Sequence, residues 1–194
     1  MHSHTQRERE ARLIAIVRAS KPLMEALAAV RALQLQSWCI GAGAVRSLVW
    51  DALHGHAEPT ATEDVDVVYF DASCDAGQDA DLAQRLAEVL PAVRWEVTNQ
   101  AHVHRWFGQA LGQQVPPLRS LEEGVATWPE FATCVGVSVD HEGTMRVIAP
   151  HGLEDLFGLR VRHNPVRASA ATYRQRVQSK RFAVRWPLLS IEAG

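Results

Sequence analysis

The sequence predicts a fold that combines helices with a β-sheet, of either the mixed α/β or the α+β class. Short apolar stretches typical of buried strands alternate with longer amphipathic stretches along the first half of the chain. The 194 residues suit one compact domain, and 47% hydrophobic with 22% charged residues is ordinary for a globular protein. No stretch approaches the ~20 apolar residues of a membrane span, so we expect no membrane partner.

The N-terminal part is predicted to hold helices and one short strand. Apolar residues recur at steps of three and four over residues 5–34, which indicates amphipathic helix. Pro22 divides this stretch into two helices, and the Ser20 hydroxyl can cap the second. The elements that follow are an apolar strand, a glycine-rich turn and a helix, over residues 37–40, 41–43 and 44–54.

The remainder continues the alternation and ends in a basic tail. A strand, a helix, a second strand and a second helix are predicted over residues 64–70, 79–90, 94–99 and 101–111. Beyond a loop at 127–131, a hairpin with strands at 132–139 and 145–149 precedes a short helix within 151–159. In the tail, over residues 172–187, arginines and a lysine are interleaved with aromatic residues.

Charge and cysteine content limit the partners and the cellular compartment that we expect. The net charge of −2 argues against a protein that coats nucleic acid through an overall positive charge. A local basic patch could still bind nucleic acid, so a nucleic-acid partner stays open. The three cysteines are widely spaced and form no Cys-x-x-Cys pair, which predicts reduced thiols rather than disulfides or structural zinc. The polar N-terminus has no apolar signal core, so we expect a cytoplasmic protein.

The first chemical motif is the turn Gly41-Ala42-Gly43 between the strand at 37–40 and the following helix. A glycine-rich turn lets the backbone approach a triphosphate, and the N–H groups at a helix N-terminus can donate to its oxygens. We therefore predict that Gly41, Ala42 and Gly43 bind a nucleotide. Arg46, in the first turn of that helix, can bind a phosphate or pair with Glu63 or Asp51.

The second motif is Asp64-Val65-Asp66 at the start of an apolar strand. Alternate residues of a strand project from the same face, so the two carboxylates lie side by side. Such a pair repels unless a cation lies between the groups, and carboxylate oxygens are ligands that Mg²⁺ prefers. Asp64 and Asp66 are thus predicted metal ligands, for Mg²⁺ or Mn²⁺.

The strand at 94–99 supplies a third candidate ligand. Trp95 and Val97 are apolar and should face the core, which turns Glu96 toward the face that carries the two aspartates. Asn99 and Gln100 are amides at the end of this strand. They can recognise a base or sugar, or cap the next helix, and the sequence leaves both open. Lys180, in the basic tail, can hold phosphates or lie on a solvated basic face.

Together these motifs resemble the nucleotidyltransferase superfamily typified by DNA polymerase β. That pattern joins a glycine turn, an Asp-apolar-Asp strand and a third carboxylate on a neighbouring strand, and Gly41, Asp64 and Asp66 match it. Further stretches resemble a bacterial branch of nucleotidyltransferase family proteins: GAGAVRSLVWDALHG, DVDVVYFD, WEVTNQAHVH, ATCVGV, APHGLEDLFGLRVRHNP and SKRFAVRWP. The resemblance covers most of residues 39–187.

This resemblance implies a nucleotidyltransferase-type fold: a central mixed sheet flanked by helices, with additional C-terminal elements. We expect a single domain, 1–194, with a core near 20–111 and a C-terminal extension near 112–194. The implied activity is metal-dependent transfer of a nucleoside monophosphate from a nucleoside triphosphate to an unidentified acceptor hydroxyl, with release of pyrophosphate. Asp64, Asp66 and Glu96 would be the catalytic and metal-binding set. The alternative is a non-catalytic nucleotide-binding or regulatory module with the same fold.

Overall fold

The computed structural model describes residues 2–74, 77–105 and 115–194. The first half alternates helices and strands as the periodicity predicts. Its elements are α1 (His2–Ala19), α2 (Lys21–Ala32), β1 (Trp38–Gly41), α3 (Ala42–His54), β2 (Val65–Tyr69), α4 (Gln78–Val89) and β3 (Trp95–Asn99). Ser20 separates α1 from α2 and accepts a hydrogen bond from the Leu23 amide at 3.4 Å, so the predicted cap is confirmed.

The second half holds shorter elements. They are a 3₁₀ turn (Gln100–His102), α5 (Leu121–Val125), a second 3₁₀ turn (Phe131–Thr133), β4 (Gly136–Val139), β5 (Met145–Ile148), α6 (Glu154–Phe157), β6 (Arg160–Val161), α7 (Ala170–Ser179), α8 (Phe182–Arg185) and β7 (Ser190–Ile191). The predicted helix over 101–111 thus begins within a 3₁₀ turn, and its residues 106–111 lie outside the described residues. None of the helices within the described ranges is long and apolar enough to cross a membrane.

The central sheet has five strands in the order β3-β2-β1-β4-β5. β2 and β3 are parallel, and the other neighbouring pairs are antiparallel, which confirms the mixed sheet. A small parallel pair, β6 and β7, lies apart from it. The boundary expected near residue 111 does not separate the sheet from the rest of the chain, because β4 pairs directly with β1.

The two faces of the sheet pack against different layers. Ile40 and Val67 belong to the larger core, which includes buried residues of α1, α2, α3 and α4. Their chain neighbours Cys39 and Val68 belong to a smaller cluster with residues of α5. The alternation of strand side chains produces this division. On this face a cavity remains beside Asp66, Val68 and Thr98.

Candidate active site

Asp66 of β2 and Glu96 of β3 lie on the same face of the sheet. Asp66 and Glu96 are register partners on neighbouring parallel strands. Trp95 and Val97 contact the larger core, so Glu96 lies on the opposite face. Asp66, two residues before Val68, shares that face. The order β2-α4-β3 creates this arrangement, since parallel strands joined by one helix have their starts at the same edge.

The electrostatics around Asp66 reflect this concentration of carboxylates. Burial, then the neighbouring charges of Asp64 and Glu96, raise the pKa of Asp66 from 3.8 to about 6. Glu96 is more open: its side chain is 49% exposed, and it lies 3.7 Å from the Arg94 guanidinium. A cation bound at this face would lower the cost of holding the three acidic groups together.

Carboxylate oxygens are the donor chemistry that Mg²⁺ or Mn²⁺ requires, so the residue types fit a divalent cation. Over residues 2–74, 77–105 and 115–194, however, no three histidine, cysteine or acidic side chains are gathered closely enough to hold a metal ion. Asp64 borders a different cavity from Asp66, one of about 280 Å³ that Glu63 and Arg94 also line. Asp66 and Glu96 therefore share a face, whereas Asp64 precedes β2 and borders the other cavity, and the three form no closed metal cage within the described residues.

A cavity of about 290 Å³ opens beside Asp66. One side comes from the sheet and the start of α3, and the other from residues 127–133 and 167–176. The lining residues include Ala42, Asp66, Gln100, Trp128, Arg167 and Arg176. Asp66 and two arginines thus line the same cavity. This arrangement suits an anionic ligand that is bound together with a cation.

Packing within the protein explains why glycine is needed at position 41, which the sequence did not reveal. A Cβ on Gly41 would lie 2.5 Å from Cη2 of Trp128 and 2.9 Å from the carbonyl oxygen of Val135. Glycine is required here because the indole packs against the backbone. A Cβ on Gly43 would meet nothing nearer than Nη2 of Arg46, at 3.8 Å. Of the two glycines, Gly43 has the free space that a ligand could use.

Ala42 carries backbone strain at the start of α3. Its φ is +49°, a left-handed conformation that L-residues other than glycine, asparagine and aspartate rarely adopt. Its N–H donates to the Val135 carbonyl at 3.2 Å, which holds the turn in place. No side chain caps this helix, so the first-turn N–H groups that follow Ala42 have no side-chain acceptor in place of an anion.

The structure corrects the prediction for Arg46. Its guanidinium lies among aromatic rings, with Cζ 4.8 Å from the Phe182 centroid and 5.1 Å from that of Trp50. Nη1 donates to the Thr133 hydroxyl at 3.2 Å, and the residue is only 3% exposed. Burial lowers its pKa from 12.5 to about 10. Arg46 therefore holds α8 against α3 and has no surface for a phosphate.

The side-chain amide of Asn99 is also engaged within the protein. Its carbonyl accepts from the Ala101 and Asp71 amides, each at 3.1 Å, and its Nδ2 donates to the Asp71 carbonyl at 2.7 Å. These bonds cap the 3₁₀ turn and tie the ends of β2 and β3 together. Of the alternatives left open for this residue, the structure supports capping.

Lys180, by contrast, lies near the acidic face. Its Nζ is 2.8 Å from Oε2 of Glu63, and this hydrogen bond lowers the pKa of the Glu63 carboxyl. Its charge also acts to lower the pKa of Asp66. Lys180 thus follows α7 directly and is paired with Glu63, near the start of β2.

Arg176 is the residue of this site that sequence reasoning missed. It lines the Asp66 cavity, and its Nε donates to Oε1 of the fully buried Glu130 at 2.8 Å. The pattern contained one signal: Arg176 and Lys180 are four positions apart, a spacing that places both on one face of a helix. Nothing local indicated that this face would turn toward β2.

Comparisons with known proteins agree with this architecture. A solved structure described as revealing a CCA-adding enzyme head domain matches with a TM-score of 0.79 and 26% identity, over 94% of this chain and 95% of that one. Two structures of a tRNA-processing enzyme, at 20% identity and TM-scores of 0.50 and 0.52, share the fold. The chain spans 42% and 43% of their lengths.

No match was found among curated proteins. At the level of sequence families, a profile described as Nucleotidyltransferase matches residues 28–191. That span contains the sheet, the glycine turn, the three acidic residues and α7. The chain belongs to this nucleotidyltransferase family.

Proposed function

We propose that the protein transfers a nucleoside monophosphate from a nucleoside triphosphate to an acceptor hydroxyl and releases pyrophosphate. The observation that carries the proposal is the pairing of Asp66 with Glu96 on one sheet face, together with a cavity that Asp66 and Arg176 both line. Family membership supports a transfer that uses a nucleoside triphosphate. Metal dependence, the residue roles and the acceptor are parts of the proposal.

In this proposal the phosphates lie between the start of α3 and the end of α7. The uncapped N–H groups of α3 and the cations of Arg176 and Lys180 neutralise the triphosphate. Glu130 orients Arg176, because its buried carboxylate accepts from Nε and, at 3.5 Å, from Nη2, which leaves the N–H groups of Nη1 for the ligand. Asp64, Asp66 and Glu96 would hold Mg²⁺ or Mn²⁺, which supplies charge neutralisation and acidifies a bound hydroxyl.

The reaction itself exchanges one phosphoester-type bond for another. The acceptor oxygen bonds to the α-phosphorus, and the bond from that phosphorus to the bridging oxygen of pyrophosphate breaks. The hydroxyl proton would leave to a carboxylate, for which we propose Glu96, or to water in the cleft. The chain's task is mainly positioning and electrostatic stabilisation.

Thermal unfolding tests the binding part of this proposal. Mg²⁺ with a nucleoside triphosphate should raise the Tm of the wild type, since a ligand at ~100 times its Kd adds about 2.7 kcal/mol. The Asp64→Asn/Asp66→Asn variant should fold and lose this response. Asp81→Asn, which changes an exposed aspartate of α4, is the matched control and should keep it. An unchanged response in the double variant would remove the metal assignment.

Transfer is tested by pyrophosphate release and by labelling of an acceptor. RNA with a free 3′ hydroxyl is the first acceptor class to try, because the structural match at 26% identity is described as a CCA-adding enzyme head domain. A protein extract and a small-metabolite fraction are the other arms. Label that appears in any arm with the wild type, and not with Asp66→Asn, supports transfer.

A non-catalytic nucleotide sensor is the second candidate. It is favoured by the open arrangement of the acidic groups, which form no closed metal cage within the described residues, and by the ion pair between Glu96 and Arg94. A sensor would show the stabilisation by metal and triphosphate without releasing pyrophosphate in any acceptor arm.

A further inference from the structure

The cavity of about 280 Å³ beside Asp64 has no role in the triphosphate binding proposed above. Its walls, which we call the Asp64 cavity, come from α2, α3, residues 59–65 and residues 92–94. Leu23, Leu48 and Val93 give it an apolar surface, and the buried Ser47 adds a hydroxyl group. Concave, largely apolar cavities with a few polar groups are the usual binding sites of small molecules.

The Asp64 cavity and the Asp66 cavity border the same short stretches of backbone. Ala42 lines the Asp66 cavity, and Ala44, two residues later in α3, lines the Asp64 cavity. Asp64 and Asp66 are divided in the same way, about 7 Å apart along the chain at ~3.3 Å per residue. Burial and then the charge of Asp64 raise the pKa of Asp66, so the two carboxylates interact. The acidic groups therefore lie where the two cavities come together.

The proposed transfer needs the acceptor and the leaving group on opposite sides of the α-phosphorus. In an in-line displacement, the attacking oxygen and the leaving oxygen lie roughly on one line through the phosphorus. Arg176, which would neutralise the leaving pyrophosphate, lines the Asp66 cavity. The acceptor hydroxyl would then approach from the side of Asp64. Arg94 of the Asp64 cavity lies 3.7 Å from Glu96, so the proposed proton acceptor is also next to this cavity.

The charges of the lining distinguish between classes of acceptor. Among the described residues that line the Asp64 cavity, Asp51, Glu63 and Asp64 are acidic, and Arg94 is the one cation. That cation is already paired with Glu96. A nucleic-acid strand, which carries a negative charge on each phosphate, would be repelled here. The lining favours an acceptor with an apolar body and no negative charge.

We infer that the Asp64 cavity binds the acceptor, and that the acceptor is a small, largely apolar molecule with a hydroxyl group and no negative charge. This inference rests on the proposed transfer of a nucleoside monophosphate and names the substrate class of the same site. The hydroxyl oxygen bonds to the α-phosphorus while the bond to pyrophosphate breaks, and the proton passes to Glu96 or to water. The product is the small molecule esterified with the nucleoside monophosphate.

The experiment blocks the Asp64 cavity and leaves the Asp66 cavity unchanged. Ala92 is exposed and lines the Asp64 cavity, so Ala92→Trp places an indole in the space that the acceptor would use. Ala87→Trp makes the same replacement at an exposed position of α4 and is the matched control. Each variant is first checked for a cooperative unfolding transition. Thr62→Trp, at another exposed lining position, replaces Ala92→Trp if that variant does not fold.

The full chain is incubated with Mg²⁺ and with ATP, GTP, CTP and UTP, each labelled at the α-phosphorus. The acceptor arms are the ultrafiltrate of a cell extract, divided by an anion exchanger into non-anionic and anionic small molecules, and total RNA. The wild type and Ala87→Trp should label the non-anionic arm. Ala92→Trp should do so on the order of a hundredfold more slowly, because the acceptor is displaced from the reacting phosphorus. Its Tm increase with Mg²⁺ and triphosphate should equal that of the wild type, since the phosphates bind in the other cavity.

Other results would overturn the inference and leave the transfer reaction in place. These are labelling of RNA or of the anionic arm instead of the non-anionic arm, and labelling by Ala92→Trp at the wild-type rate. Loss of the Tm increase in Ala92→Trp would also overturn it, because the triphosphate itself would then occupy the Asp64 cavity. If the wild type binds triphosphate but neither labels any arm nor releases pyrophosphate, the proposed transfer fails, and the acceptor site fails with it.

Discussion

Replacing Asp66 with asparagine should stabilise the metal-free protein at neutral pH. The folded state raises the pKa of this carboxyl from 3.8 to about 6, chiefly through burial and then through Asp64 and Glu96. A shift of roughly two pKa units, at about 1.4 kcal/mol per unit, makes the ionised group unfavourable by up to about 3 kcal/mol. Asparagine removes the charge and nearly conserves the shape.

The pH dependence gives the sign of this effect. Because the folded-state pKa is the higher one, the contribution of Asp66 is most favourable below the unfolded value of 3.8. It is lost as the pH rises through about 6. The gain from Asp66→Asn should therefore be large at pH 7.5 and much smaller at pH 4.5, within the window that these pKa values define.

Urea unfolding in the presence of a chelator measures the gain at both pH values. Asp81→Asn, on the exposed surface of α4, should change stability by no more than about 0.5 kcal/mol at either pH. A variant Asp66→Asn that is less stable than the wild type at pH 7.5 would refute the reasoning. Equal gains at the two pH values would do so as well, because the effect would then not depend on the charge.

Three further predictions concern single residues of the site. Ala42→Gly should raise the free energy of unfolding, measured with urea, by about 1 kcal/mol, because glycine adopts the observed φ of +49° without the steric cost. An unchanged urea midpoint would mean that the turn is not strained. Gly41→Ala should lower the free energy of unfolding by about 1–3 kcal/mol, because the added methyl group collides with Trp128. Gly43→Ala should remain folded but bind triphosphate weakly. Normal triphosphate binding by Gly43→Ala would mean that the turn has only a structural role. Glu96→Gln should retain most of the affinity for triphosphate but release pyrophosphate slowly in a single-turnover assay, because a role limited to the attacking hydroxyl affects only the chemical step. An equal loss of affinity and rate would mean that Glu96 contributes to binding of the substrate ground state.

Local patterns in the sequence were sufficient for most of the fold. Pro22 and Ser20 defined the break between α1 and α2, and the spacing of apolar residues located β1, β2 and β3 to within about a residue. Glu96 could be assigned to the face of Asp66 because Trp95 and Val97 must enter the core. These features depend on residues that are near one another in the chain, where periodicity and capping act directly.

The site was predictable only in part. Arg46 lies in the first turn of α3, as a phosphate ligand might be expected to, yet aromatic residues of α8 surround it. Asn99 carries an amide suited to a ligand, but its hydrogen bonds join the turn after β3 to Asp71, which follows β2. Neither outcome follows from local sequence, because each depends on which distant segment packs nearby.

The sequence by itself determined the mixed fold and the shared face of Asp66 and Glu96, because strand alternation is a property of the backbone. Tertiary structure decided which other residues join them. Packing of Phe182 and Trp186 around Arg46 fixes α8 on α3, and α7, which precedes it, carries Arg176 to the Asp66 cavity. Contacts between segments so far apart in the chain are selected by the fit of the whole core, and no local pattern encodes them.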